Sequence, residues 1–247
     1  MRIFNVMMSK DLGGIQQAFI DYHDALAMQK HEVINITSIF AAINKKIHAH
    51  HKLPNFSSWC LMARIYFWYL VQKHKPDIII CHGNRAISFA SAFRSKNIPI
   101  IGVSHNYSYK HLRKCDYVLT LTQKLKSHLI NHDFSPENLL DISNMTRMTQ
   151  DFKTKSYRAP ITIGSFGRFV HKKGFYILLE AISLLKQEQR EVKLLLGGDG
   201  PEKENLVTLA QKFNLEQDVT FCGWVDDKKK FFEQIDLFCL PSLDEPF

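Results

Sequence analysis

Residues 161–185 read ITIGSFGRFVHKKGFYILLEAISLL, and this stretch decides the fold. Residues 161–166 form a short apolar run of strand length. Gly164 and Gly167 punctuate its end, where bare backbone lets another group approach closely. Arg168, His171, Lys172 and Lys173 follow. Phe175, Leu178, Leu179, Ile182 and Leu185 then recur at helical spacing and give one apolar stripe. The pattern is strand, glycine turn, basic loop, helix. It places cations where a strand hands over to a helix, beside the free N–H groups and the positive dipole end. A phosphate is the anion such a junction is expected to hold. Taken alone, Arg168 and Lys173 read rather as a solvated basic loop between strand and helix.

The rest of the second half continues in register. Residues 192–196 read as a strand, followed by the turn GGDGP. Pro201 suits a first helical turn, with Glu202 and Glu204 favourable near the N-terminus. Residues 219–221 form a third strand ending in CGWV. Asp226 is the expected cap of the helix in DKKKFFEQI, and residues 237–240 form a fourth strand ending in PSLDEPF. The order GR, four residues, KG, then LLLGGDGPEKENL, VTFCGWV and DLFCLPSLDEPF resembles the large retaining glycosyltransferase family of GT-B fold, known as group 1 or family four. The four motifs together carry the resemblance, which spans the whole chain.

That resemblance implies two Rossmann-like α/β domains of doubly wound parallel sheet facing a cleft, residues 1–156 on the acceptor side and 157–247 on the donor side. It implies a nucleotide-diphosphate sugar as donor, no cofactor, no metal, and a glycan or lipid-linked acceptor of the cell envelope. Arg168 and Lys173, with Gly167, would receive the diphosphate. The backbone around Val225 would meet the nucleobase, and Glu245 the sugar hydroxyls. After Glu245-Pro246-Phe247 the family continues into a glycine-led helix and a second glutamate that holds the ribose. The second domain is therefore expected to be incomplete.

The first half repeats the opening logic. Residues 2–8 read as a buried strand, SKDLGG as a loop, and Ile15, Ala18, Phe19, Tyr22, Ala25 and Leu26 as a helix face. Gly13 and Gly14 match the family loop beside the donor phosphates; a plain strand–helix turn is the other reading. Residues 78–81 and 98–103 are apolar strands, each followed by a polar loop. His105 lies just past the end of the second, where doubly wound sheets place their sites. In the resembled family a histidine here stands near the transferred sugar; a plain loop histidine is the alternative. Thr122 is a helix cap. In SNMTRM the family's Pro-Asn-Gly is reduced to Asn144, and residues 146–158 read as a polar linker.

Two stretches leave alternatives open. Residues 41–57 read as a basic loop; the HAHH run has metal-binding residue types but no carboxylate or cysteine nearby. The segment SSWCLMARIYFWYLVQK, with Trp59, Met62, Ala63, Tyr66, Phe67 and Leu70, reads either as a core helix capped by Ser57 or Ser58, or as an aromatic-rich helix on an anionic membrane.

Composition narrows the classes. With 247 residues and 45% hydrophobic content, the chain can bury a sizeable core. Residues 1–158 hold 21 Lys+Arg against 10 Asp+Glu, so the net charge of +8 sits entirely in the first half. A basic half suits an acidic partner. Nucleic acid is a weak expectation, because no nucleic-acid motif is present. The five cysteines are odd in number and form no CxxC pair, which fits a reducing compartment. No apolar run reaches transmembrane length, and the expected location is cytoplasmic, with peripheral membrane contact as the open variant. No isolated Asp-x-Asp stands beside a strand end to hold a divalent ion. The function that the resemblance implies is nucleotide-sugar-dependent glycosyl transfer. The alternative is a truncated remnant or split-enzyme fragment that binds without turnover.

Overall fold

The computed structural model describes residues 1–10, 14–47, 50–56, 60–95, 97–143, 145, 157 and 159–243. The chain divides into two compact units, one built on a seven-stranded sheet and one on a four-stranded sheet. The expected boundary at 156/157 falls at the edge of residues outside the described set.

In the first unit, β1 (Arg2–Met7) leads through α1 (Gly14–Met28) to β2 (Glu32–Ser38) and β3 (His51–Leu53). Then come α2 (Leu61–His74), β4 (Ile78–His82), α3 (Asn84–Ala90), β5 (Ile100–Ser104), β6 (Tyr117–Thr120), α4 (Gln123–Ile130) and β7 (Leu139–Asp141). The strands are all parallel, in the order β3-β2-β1-β4-β5-β6-β7. A parallel sheet must be covered on both faces, which is why its strands read as unbroken apolar runs. On one face Phe4, Val6, Ile79 and Cys81 pack with Phe67 and Leu70 of α2 and Ile87 and Phe89 of α3. On the other, Ile3, Ile80, Val103 and Leu119 pack with Tyr22 of α1 and Leu125 of α4. Thr122 caps α4 as read, its hydroxyl accepting from the Leu125 N–H at 3.2 Å.

The second unit contains β8 (Ile161–Phe166), α5 (Phe175–Gln187), β9 (Val192–Gly197), α6 (Lys203–Lys212), β10 (Val219–Gly223), α7 (Lys228–Glu233) and β11 (Leu237–Phe238). Its parallel sheet has the order β10-β9-β8-β11. The predicted stripe on α5 is the buried one: Phe175, Leu178, Leu179 and Ile182 pack on Leu194 and Leu196 of β9.

Four local readings are corrected. The supposed basic loop 41–57 contains β3, because three residues of alternating exposure suffice to pair with β2. His50 Nδ1 there accepts the Asn35 N–H at 3.1 Å, and His51 Nε2 lies 3.0 Å from His74 Nε2. The aromatic helix begins at Leu61 with Cys60 at its N-cap and no capping side chain; Ser57 and Ser58 lie outside the described residues. Pro201 precedes α6, whose N-cap is Glu202. Asp227, not Asp226, caps α7, its carboxylate accepting from the Lys230 N–H at 3.0 Å.

Candidate functional site

Both sheets reverse direction at one point. Chain order runs outward one way from β1, then restarts on its other side with β4; β8 does the same between β9 and β11. Loops leaving the carboxyl ends of such neighbouring strands diverge and leave a crevice, where doubly wound folds bind ligands.

In the first unit that crevice is a cavity of about 410 Å³. Ser9 and Lys10 come from the loop after β1, Asn84 and Arg85 from the start of α3, and His105 and Asn106 from the loop after β5. His105 is therefore in the crevice, as its position at a strand end implied. His82, the last residue of β4, is buried beneath it, with its Nδ1 3.3 Å from His105 Nε2. Burial holds both imidazoles below their usual range, His105 down to about 4 and His82 well below it, with the neighbouring His105 adding to the effect on His82. Both rings are neutral at physiological pH. Gly14 opens α1 with nothing within 4 Å of where a side chain would begin. No close approach within the protein requires glycine there. Gly13 lies outside the described residues.

The pKa depression has a stability consequence. Between pH 4 and 6.5 the unfolded chain binds a proton at His105 that the folded chain refuses. Stability is therefore full above pH 6.5 and is lost as the pH falls toward 4. The shift from 6.5 to about 4 corresponds to about 3 kcal/mol. Urea unfolding at pH 7 and pH 4.5 should show this loss, and His105→Gln should reduce it. Equal pH slopes in the two proteins would refute the assignment.

In the second unit the connection 167–174 leaves β8 at its switch point. Its backbone is held from two sides. Toward β9, the Gly167 N–H donates to Gly197 O and the Phe169 N–H to Asp199 O, both at 2.9 Å. The Glu202 N–H returns a bond to Phe169 O at 3.0 Å. Toward the segment after β11, the Leu243 N–H donates to Lys172 O at 2.9 Å; just before the connection, in β8, the Ser165 hydroxyl donates to Cys239 O at 2.6 Å. Phe169 is fully buried, packed edge-on against Phe175. Arg168 beside it is exposed, and Lys173 closes a 3-10 turn, His171–Lys173, directly before α5. Gly174 then takes φ +66° at the helix N-cap. A side chain there would begin 2.0 Å from Pro241 O, so the loop after β11 sits hard against the start of α5.

Gly167, Arg168 and Lys173 thus share one loop, hydrogen-bonded on two sides, at the switch point of the second sheet. Val225 lies at the next strand end but one, its side chain packed over Gly197. Glu245 lies outside the described residues. His105 belongs to the other unit. Sequence reading missed His82, Lys10 and Arg85. The signal for His82 was a histidine ending an otherwise apolar strand.

Comparison with known proteins now decides the family. The model for "Glycosyltransferase Family 4" matches residues 12–145, and that for "Glycosyl transferases group 1" matches residues 146–247. The chain belongs to the group 1, family 4 glycosyltransferases. This glycosyltransferase is 27% identical, over all of its length and 74% of the relative's, to the lipopolysaccharide core biosynthesis glycosyltransferase LpsE of Rhizobium meliloti. It is 28% identical to an uncharacterized glycosyltransferase of Haemophilus influenzae, with 98% and 74% of the two chains covered. Among solved structures, Anabaena Alr3699/HepE in complex with UDP-glucose matches with a TM-score of 0.78 at 19% identity, over 100% of this chain and 75% of that one. The lipopolysaccharide outer core galactosyltransferase WaaB matches at 0.73 and 18%, over 100% and 76%. The glycosyltransferase is α/β, of GT-B type.

Proposed function

We propose that this glycosyltransferase moves a sugar from a nucleotide-diphosphate donor to an envelope glycan or glycolipid, with retention of configuration and without a metal ion. The observation that carries the reading is the doubly held 167–174 loop, which brings Arg168 and Lys173 to the switch point of the second sheet. A departing diphosphate accumulates negative charge as the glycosidic bond breaks. Arg168 offers planar paired donors to its oxygens, and Lys173 a compact charge. Cations fixed where that charge develops lower the barrier, and a fixed loop spends little reorganisation in doing so. The diphosphate's charge then needs no divalent ion. Sharing a family with LpsE supports an envelope acceptor, and likeness to HepE, solved with UDP-glucose, supports the donor class. In this reading His105 meets a sugar hydroxyl, Val225 the nucleobase and Glu245 the sugar, with Gly13 and Gly14 near the phosphates.

Incubation with a panel of uridine and guanosine diphosphate sugars, with and without EDTA, tests the reading. Release of nucleoside diphosphate that EDTA leaves unchanged is expected. Donor binding by calorimetry without release would favour the alternative, a fragment that binds but does not turn over.

The same chain is proposed to rest on an anionic membrane from the cytoplasmic side. Helix α2 carries apolar residues on two faces, and only one of them is covered. Ala63, Phe67, Leu70 and Val71 enter the core. Leu61, Met62, Ile65, Trp68 and Tyr69 face out, Leu61 and Met62 each more than 60% exposed. Soluble surfaces rarely keep such a row uncovered. Cations border it: Lys73 Nζ stands 5.9 Å from the Tyr69 ring centre, and Lys75 follows. An apolar row with interfacial aromatics and a basic flank suits anionic lipid. No helix among the described residues is long and apolar enough to cross a membrane. The protein should sediment with phosphatidylglycerol-containing vesicles and much less with phosphatidylcholine alone. Ile65→Asp with Trp68→Asp should weaken that binding more than about tenfold. Indifference to both lipid charge and these changes would end the idea.

A further inference from the structure

What His105 offers a ligand depends on which ring nitrogen carries its proton, and its buried neighbours decide that. Asn5, in the middle of β1, is fully buried. Its side-chain NH₂ donates to Phe19 O at 3.0 Å and to Asn35 Oδ1 at 3.1 Å. A backbone carbonyl only accepts, so the amide cannot be turned round. Asn5 Oδ1 therefore accepts from His82, whose Nε2 lies 3.0 Å away. His82 must carry its proton on Nε2. Its ring is buried and packed edge-on by Phe19 and Tyr22, with centroids at 5.5 and 5.1 Å. A ring so enclosed stays neutral, which leaves Nδ1 with a lone pair. That lone pair faces His105 Nε2 at 3.3 Å, so His105 must donate.

We propose that His82 is a positioning residue which, held by Asn5, fixes His105 as the Nε2–H tautomer. His105 then keeps a lone pair on Nδ1, and the cavity presents an acceptor. It is suited to a substrate hydroxyl that donates a hydrogen bond. It is ill suited to a carbonyl or phosphate oxygen at the same place, which would leave two acceptors opposed. The direction of the relay is set by the backbone carbonyl of Phe19 in α1.

The assignment of the hydroxyl rests on the glycosyl-transfer reading, whereas the tautomer does not. Long-range proton–nitrogen correlation spectra of the full chain, labelled with ¹⁵N-histidine at pH 7, read the tautomers directly. Peaks are assigned by their disappearance in His82→Gln and His105→Gln. Both rings should show a protonated Nε2 and an unprotonated Nδ1. A protonated Nδ1 on His105, or an imidazolium, overturns the proposal. In donor turnover, His82→Phe keeps the ring volume but removes the relay, and kcat/KM should fall about tenfold. His82→Gln, which retains an amide donor and acceptor, should recover most of the loss. Equal defects in the two variants would make His82 merely structural. A chain silent toward every donor would sink the transfer reading and leave the tautomer result standing.

Discussion

Replacing Arg168 and Lys173 together by alanine should lower the rate of donor cleavage by at least about 10³-fold, since a single fixed donor at a developing charge accounts for about 10²–10³. Affinity for a nucleoside diphosphate, with UDP as the probe, should fall with it. The two cations sit at opposite ends of one loop, Arg168 just after β8 and Lys173 just before α5, and the donor reading requires one diphosphate to meet both. Lys172 supplies the control. It is exposed on the same 3-10 turn, and its neutralisation changes net charge by the same amount as either single variant. If long-range attraction alone held the anion, Lys172→Ala would match Lys173→Ala. Local contact predicts an effect of less than about twofold for Lys172→Ala at physiological salt, where charges beyond a Debye length are screened. Calorimetric titration of UDP into the four proteins decides between them. Unchanged affinity in the double variant would remove the foundation of the donor assignment.

Gly198→Ala should cost the second unit about 4 kcal/mol or more, a loss large enough to unfold many domains. Gly198 follows β9 with φ +140°, a conformation L-residues rarely adopt. An added methyl carbon would begin 1.9 Å from Gly167 O, in the loop that carries Arg168. Backbone cannot swing aside as a side-chain tip does. Relief would require the Gly167–Gly197 bond to break, and the adjoining Phe169–Asp199 bond with it. The unfolding transition seen by Trp224, in the second unit, should move to much lower denaturant. The transition seen by Trp68, in the first, should stay close to its place. Retention of the Trp224 transition would show that this turn has room that its packing denies.

Much of this molecule was legible before its structure. The strand, basic loop and helix at 161–185 were readable because period and length both change sharply there, and a parallel strand buried on both faces is continuously apolar. His105 and Arg168 were singled out by position, and the structure puts both just past strand ends, His105 after β5 and Arg168 after β8. Strand β3 was not found, since three residues give no period to count. Asp226 and Asp227 are adjacent acids, and sequence cannot say which lies one residue before a helix start. The aromatic helix kept two readings in play because both describe it: one face is core and the opposite face is bare. His82 escaped because its importance lies in a partner 77 residues away in the chain, and no local pattern joins it to Asn5. Two further candidates, Gly13 and Glu245, lie outside the described residues.

Asn5 would be an early target for anyone engineering a hardier version of this protein. It stands between Phe4 and Val6 in a central strand, where stabilising redesign would ordinarily install valine or isoleucine. That swap would leave an imidazole N–H with no acceptor inside the sheet and free its neighbour above to turn over. The resulting protein would be greasier inside, and its cavity would have lost an acceptor fixed in one direction.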